Sequence, residues 1–382
     1  MQNRIFWNTQ PVLLESYNEN ETKEGLIIEN RCIGTEYETQ LPNGLTWKII
    51  NPLDQRDTDL VFNLLRDHYV EDEGSRFRFY YSKEFLSWSI SSPTNNGKFS
   101  IGIESSSELI GFISGVPLTL SIKDKKCKFL SMNFLCVHKS YRKLRLTPIL
   151  LQKMIQTTIH EGYPCGIYTS GTLIHTPIST SHYYLRYLNL KNLEKAGFVV
   201  FDRTLGPTYR EKIYSLPDLP IEKKSRPMTF HDLPQVFEFF INFISKYSVY
   251  QNFTIEEFSH LFLSNNKSVY SFVYETSDGI KDFFSFYVLC FQPLNGQNNQ
   301  YVTAAYCYYY AYNCLSIDEI FWNMLHWAKD VGADIFYMID VMDNKMIKSD
   351  LKFESGQGSL YYFLYNWSLG TVNPESIGVI LV

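Results

Sequence analysis

Three cations, Arg142, Lys143 and Arg145, stand between an apolar run and a helical pattern opened by proline, a spacing that suits a phosphate-bearing ligand. Phe129 to Val137 is apolar and β-prone without a helical period, which reads as a buried strand. After Thr147-Pro148, where threonine can cap and proline fits the first turn, Leu150, Leu151, Met154, Ile155, Thr158 and Ile159 repeat at helical spacing up to Gly162. The first amides of a helix lack intrahelical partners and point outward. A polyanion placed there meets donors, dipole and guanidinium groups together. The loop lacks the GxxxxGK[ST] pattern, so it is not a nucleotide-hydrolysing P-loop. Such a cluster also occurs on ordinary solvated loops, and the loop alone leaves both readings open.

Other reactive side chains point to less. His138 lies in the basic loop, and His175 and His182 have no recognisable nucleophile partner. Cys136 belongs to the apolar strand and reads as a small buried hydrophobe. Seven cysteines are scattered without CxxC or Cys/His spacing, so neither a disulfide framework nor a metal site is indicated, and a reducing, cytoplasmic setting fits. A formal charge of −5 with no basic stripe argues against nucleic acid as a partner. No signal-peptide core is present, and no apolar run approaches the ~20 residues that span a bilayer. With 45% hydrophobic residues among 382, the chain can bury a sizeable core.

The elements that must position the basic loop fall into an order that repeats. After an irregular arm to about residue 50, helices over 57–69 (capped near Asp57 or Thr58) and after Ser82 precede strands 99–104, 108–115 and 127–137, helix 148–161 and strand 165–171. The second half runs through helix 232–246, opened by Asp232-x-x-Gln235, and helix 255–263, opened by the capping box Thr254-x-x-Glu257. Strands 268–275, 282–291 and 301–312 follow, with a turn at Asp278-Gly279, then a helix capped by Ser316-x-x-Glu319 and strand 333–340. This implies an α/β (α+β) chain with a duplicated acetyltransferase-like (GNAT) fold: a central splayed mixed sheet and pseudo-twofold halves. Prolines and a charge run near Pro217–Arg226 place a boundary between residues 1–220 and 221–382.

Asn133-Phe-Leu-Cys-Val-His-Lys139, followed by Arg142, Arg145 and Pro148, closely resembles the acyl-CoA signature of the glycylpeptide N-tetradecanoyltransferases, the N-myristoyltransferases. Phe6-Trp7-Asn-Thr-Gln10-Pro11 resembles that family's opening motif, set against the CoA adenine. Tyr69-Val70-Glu-Asp72-Glu-Gly-Ser-Arg-Phe77-Arg-Phe79 resembles its acidic loop and peptide-groove aromatics. Tyr168-Thr169-Ser-Gly171, Ser181-His-Tyr183, Asp282-Phe-Phe-Ser285-Phe-Tyr287, Ala304-Ala-Tyr306 and the ending Ile377-Gly-Val-Ile-Leu-Val382 match further segments. The likeness runs along nearly the whole chain and implies an acyl-CoA-binding half at 1–220 and a peptide-binding half at 221–382.

The resemblance implies transfer of a myristoyl group from myristoyl-CoA, a cosubstrate rather than a tightly bound cofactor, to the α-amine of an N-terminal glycine on nascent or free proteins. It implies a cofactor site at Phe6, Trp7, Asn133 to Val137, Arg142, Lys143 and Arg145 to Pro148, with no metal. The amides of Phe134 and Leu135 would hold the oxyanion. A threonine, Thr169, would stand by the incoming glycine, and the Val382 carboxylate would be the base. Peptide contacts would come from Tyr69, Val70, Asp72, Phe77, Phe79, Tyr81, Thr169, Gly171, Tyr183, Ser285, Tyr287, Tyr306, Tyr337, Leu360 and Val382. A thioester is already activated, so what remains is to stabilise the oxyanion and to take a proton from an amine of pKa ~7.7–8.0.

The chain departs from the family pattern at several positions. Gly74 breaks the acidic run and Gln357 stands for an aspartate between two glycines. Leu185 replaces a histidine and Tyr337 an asparagine, while Lys143 and Leu144 stand where serine and lysine are usual. A monomer is expected. Another acyl-CoA-dependent N-acyltransferase, or a non-catalytic acyl-CoA or acyl-peptide binder, are the alternatives.

Overall fold

A computed structural model describes residues 6–14, 23–29, 39–72, 74–94, 97–200, 206–216, 225–263, 267–294, 300–347 and 351–382. The first stretch of elements is β1 (Gly25–Leu26), β2 (Thr46–Ile49), α1 (Gln55–His68), β3 (Phe77–Tyr80), α2 (Lys83–Ile90), β4 (Ser100–Ser105), β5 (Glu108–Ile122), β6 (Lys125–Val137), α3 (Leu146–His160), β7 (Cys165–Ser170) and β8 (Ser179–Tyr187). Helices α4 (Leu190–Lys195) and α5 (Pro207–Tyr214) and strand β9 (Arg226–Pro227) connect it to the next. Then come α6 (Leu233–Ile244), β10 (Val249–Gln251), α7 (Ile255–Phe262), β11 (Val269–Thr276), β12 (Gly279–Pro293), β13 (Val302–Ala311), α8 (Ile317–Asp330), β14 (Ile335–Ile339), β15 (Glu354–Tyr365), β16 (Trp367–Ser368) and β17 (Ile377–Gly378). The series α1 to β8 recurs as α6 to β15, which is the duplication expected, with two more strands in each series than the sequence suggested. The expected boundary at 220/221 lies outside the described residues.

Among the described residues the sheet runs β17-β10-β5-β6-β7-β15-β8-β14-β13-β12-β11-β9. Each half gives strands to the other. β15 lies against β7 and β8 lies against β14. The short β3 extends the far end of β12, and its counterpart β10 extends the far end of β5. A mixed sheet of this kind has helices covering its faces, so the strands are apolar on both sides. In α6, Leu233, Val236, Phe240 and Ile244 share one buried face. Phe240 packs with Phe258, Phe262, Phe283 and Tyr309. Truncating such a ring to alanine costs about 3–5 kcal/mol.

Local chemistry sets the helix starts, and several differ from expectation. Asp54 caps α1 by accepting from the amides of Arg56 and Asp57, so the helix begins ahead of Asp57 and Thr58. Ser82, Thr254 and Ser316 cap their helices as expected, the last two in capping boxes. Asp232 stands just before α6, but its side chain does not cap that helix. Its carboxylate closes a box with Thr229 one turn earlier and pairs with Arg226. Thr147 does not cap α3 either. The preceding loop is a 3₁₀ turn (Lys139–Leu144), Arg145 at φ 56° turns the chain, and the helix starts at Leu146, with Thr147 and Pro148 inside its first turn. β5 runs seven residues beyond the expected end at 115, out to Ile122.

Candidate active site

β6 and β7 are parallel neighbours only from Phe129/Cys165 to Ser131/Ile167, and then they part. β13 and β14 likewise separate after Tyr306/Tyr337. The two openings face a shared cavity of about 440 Å³. At the first opening the β5–β6 ladder slips, since Phe112 faces Cys136 whereas Ser114 faces Asn133, so β6 carries one extra residue. A bulge of this kind leaves a residue outside the ladder and re-aims the backbone. Here Phe134 takes φ 54°, uncommon for a bulky residue, and the stretch Asn133 to Leu135 borders the cavity.

The first half lines the cavity with aliphatic groups, among them Ile113, Met132, Leu151 and Ile174, together with Thr169 and Gly171. The second half contributes phenols: Tyr287, Tyr306 and Tyr337 form a continuous stack with ring centres 5.1 Å apart at each step. Tyr69, Val70, Phe79, Tyr81, Tyr183 and Leu360 complete the wall. Burial raises the phenol pKa of Tyr69, Tyr81 and Tyr306, and takes Tyr183 up to about 12, so these groups stay neutral donors. No described lining residue bears a charged side chain. A cavity so lined suits a long apolar chain and an uncharged peptide backbone.

The last segment of the chain enters this space. Ile377-Gly378 pairs in parallel with Val249-Tyr250, and Ile380 to Val382 border the cavity. The Val379 carbonyl accepts from the Tyr362 hydroxyl at 3.0 Å, and the Ile380 amide donates to the Tyr309 hydroxyl at 2.9 Å. These two tyrosines were not expected from the sequence, where an aromatic-rich strand reads as core. Trp7 reaches the cavity from the arm and stacks on Tyr168, with Phe6 edge-on behind it.

The basic loop lies at the α3 start as expected, but its cations divide. Arg142 donates to the carbonyls of Val137 and His68, tying the loop to the end of α1. Lys143 and Arg145 are exposed at the helix N-terminus. Leu146 is buried beneath them. His68 lies against His138 with ring centres 3.7 Å apart. Its pKa is lowered by burial first and then by His138. Cys136 is buried in the strand and its thiol is pushed up to about 12, which keeps it unreactive. Val137 is buried beside it.

Three residues expected to contact the peptide, Asp72, Phe77 and Ser285, do not line the cavity. Asp72 turns back on its own loop, accepting from the amides of Arg76 and Phe77. Phe77 is buried against Phe198 because its strand pairs with β12 and faces that ring. Ser285 is fully buried, its hydroxyl bonded to the backbone of Tyr309. The pKa of the neighbouring Glu71 is held down to about 2 by hydrogen bonds from Lys139 and then Arg78, so its charge is met by those two cations. Glu73 lies outside the described residues. Among the described residues no cluster of His, Cys, Asp or Glu is placed to hold a metal ion, and no helix is long and apolar enough to cross a membrane.

Comparison with known proteins agrees with this geometry. The model described as "Myristoyl-CoA:protein N-myristoyltransferase, N-terminal domain" matches residues 32–181, and its C-terminal counterpart matches residues 195–380. The glycylpeptide N-tetradecanoyltransferase of Plasmodium falciparum (isolate 3D7) is 34% identical over 382 residues, covering 99% of this chain and 93% of that protein. Glycylpeptide N-tetradecanoyltransferase 1 of Arabidopsis thaliana is 34% identical over 386 residues, covering 99% and 89%. The crystal structure of Saccharomyces cerevisiae N-myristoyltransferase with bound myristoyl-CoA superposes with a TM-score of 0.93 at 29% identity, covering 100% of both chains. With both halves matched and the splayed sheet shared, the chain belongs to the myristoyl-CoA:protein N-myristoyltransferase family and is an acyltransferase.

Proposed function

We propose that this enzyme moves a myristoyl group from myristoyl-CoA to the α-amine of an N-terminal glycine, with the Phe134 and Leu135 amides as oxyanion donors and the Val382 carboxylate as general base. The observation that carries this reading is that the Phe134 bulge, Thr169 and the tail to Val382 border one cavity. Myristoyl-CoA would lay its phosphates against Lys143, Arg145 and the first amides of α3, its adenine toward Phe6 and Trp7, and its acyl chain among Met132, Leu151 and Ile174. The glycyl peptide would enter along the tyrosine wall.

In this mechanism the neutral amine attacks the thioester carbonyl. The carbonyl oxygen gains charge, and amides released from the ladder by the bulge would meet it without reorganising. The amine proton passes to the Val382 carboxylate. Val382 borders a cavity whose described lining side chains are uncharged, where its carboxylate is the group placed to take that proton. The thioester C–S bond then breaks, the departing CoA thiolate takes up the proton held by the Val382 carboxyl and leaves as the thiol, and an amide remains. Incubation with acyl-CoAs and Gly-initiated peptides, followed by intact mass, tests the reaction. A gain of one myristoyl mass is expected, and binding without mass gain would leave a non-catalytic binder.

A further inference from the structure

The second half repeats the ladder slip of the first. Phe284 faces Tyr310 whereas Phe286 faces Cys307, so β13 carries an extra residue around Tyr308-Tyr309, as β6 does around Phe134. In the first half this interruption borders the cavity. In the second it is filled, because the Ser285 hydroxyl donates to the Tyr309 carbonyl at 2.8 Å and accepts from the Tyr309 amide at 3.2 Å. That pairing fixes the backbone from which the wholly buried Tyr309 side chain projects.

The Tyr309 hydroxyl receives the Ile380 amide, while the Tyr362 hydroxyl donates to the Val379 carbonyl. Val379 C=O and Ile380 N–H belong to the same peptide group, so two buried phenols hold both polar ends of one rigid plane. Tyr362 stands directly opposite Thr169 in the β7–β15 pair. Because a peptide group is planar, fixing its oxygen and its nitrogen fixes its orientation. Few soft torsions then remain before Val382. A general base must lie within about 2.6–3.2 Å of the proton it takes, and a tail free to swing would seldom satisfy that.

We propose that Tyr309 and Tyr362 are positioning residues that set where the Val382 carboxylate stands, with Ser285 fixing Tyr309. The inference rests on Val382 being the base. Tyr309→Phe and Tyr362→Phe keep the ring packing and remove one hydroxyl each. Either should lower single-turnover acyl transfer about 10-fold or more, a part of the ~10²–10⁴-fold that general-base catalysis supplies, with acyl-CoA affinity and peptide KM unchanged. The deciding measurement repeats both substitutions in a chain extended by one residue after Val382. If the phenols act through the carboxylate, they add no further loss there. Ser285→Ala, which leaves both phenols in place, serves where a Phe variant does not fold and should give a smaller loss in the same pattern. Equal losses in native and extended chains would reduce the phenols to packing and overturn the proposal. Phe variants as fast as the native chain, beside a slow extended chain, would overturn it while leaving the base assignment standing. An extended chain as fast as the native one would remove that assignment and the clamp with it.

Discussion

Leu185 and Tyr337 stand directly opposite each other in the antiparallel β8–β14 pair. Tyr337 then stacks on Tyr306 and Tyr306 on Tyr287, the latter pair within 5° of parallel. An aliphatic side chain thus sits across the ladder from the end of an aromatic stack. An aromatic pair contributes about 0.5–1.5 kcal/mol beyond burial, so Tyr337→Ala should lower stability by at least that much, read by denaturant melts. It should also raise peptide KM and leave acyl-CoA affinity unchanged, as read by steady-state kinetics and calorimetry.

The divided roles of the cations predict separable phenotypes. Arg145→Ala removes an exposed charge at the α3 start, so acyl-CoA binding should weaken and lose part of its salt dependence, with little change in melting temperature. Arg142→Ala also strips donors from the Val137 and His68 carbonyls, so it should lower the melting temperature as well. Calorimetry at two salt concentrations, beside thermal melts, separates the two.

Under the proposed mechanism the amine reaches the thioester between Thr169 and the Phe134 bulge, so glycine, which presents no Cβ there, should be obligatory at the substrate's first position. A peptide with Ala in place of Gly should give no product by intact mass. Comparable turnover would favour a broader N-acyltransferase.

Extending the chain by one residue after Val382 displaces the carboxylate by up to ~3.8 Å, beyond hydrogen-bond reach. Single-turnover acyl transfer should fall ~10²–10⁴-fold with acyl-CoA affinity retained. A folded extended chain with native rates would refute the carboxylate as base.

Stability should fall in acid partly through Asp232, whose pKa is lowered to about 2 chiefly by hydrogen bonding from Arg226, with help from Thr229. An unfolded aspartate titrates near ~3.9. Since the folded value is the lower one, the contribution is complete above about pH 4 and is lost as pH falls toward 2, on the order of 2 kcal/mol in all. Asp232→Asn should therefore melt lower than the native protein at pH 7, and the gap should narrow below pH 4.

The long elements could be read from the sequence because apolar period and capping agree. Thr254 and Glu257, or Ser316 and Glu319, announce their helices in four residues. The strands that cross between halves could not. β10 has three residues between two helices, β8 opens with Ser-Thr-Ser-His, and β15 begins Glu-Ser-Gly-Gln-Gly, which reads as loop. Their pairing is decided by neighbours more than 100 residues away, which no local window contains. The basic loop before α3 is legible from its own spacing, whereas the cavity tyrosines were expected only from resemblance. The Tyr309–Tyr362 grip is a tertiary relation with no spacing of its own.

The traded strands make the two halves a link rather than two beads. β8 must leave its own half to lie beside β14, and β15 must return to lie beside β7. Neither half therefore encloses a complete sheet, and a fragment of either would expose strand edges that the other is built to cover. Opening one half removes a wall of the other. The molecule should consequently melt in a single transition, and a backbone cut between residues 217 and 224 should leave two pieces that stay interlocked until both unfold.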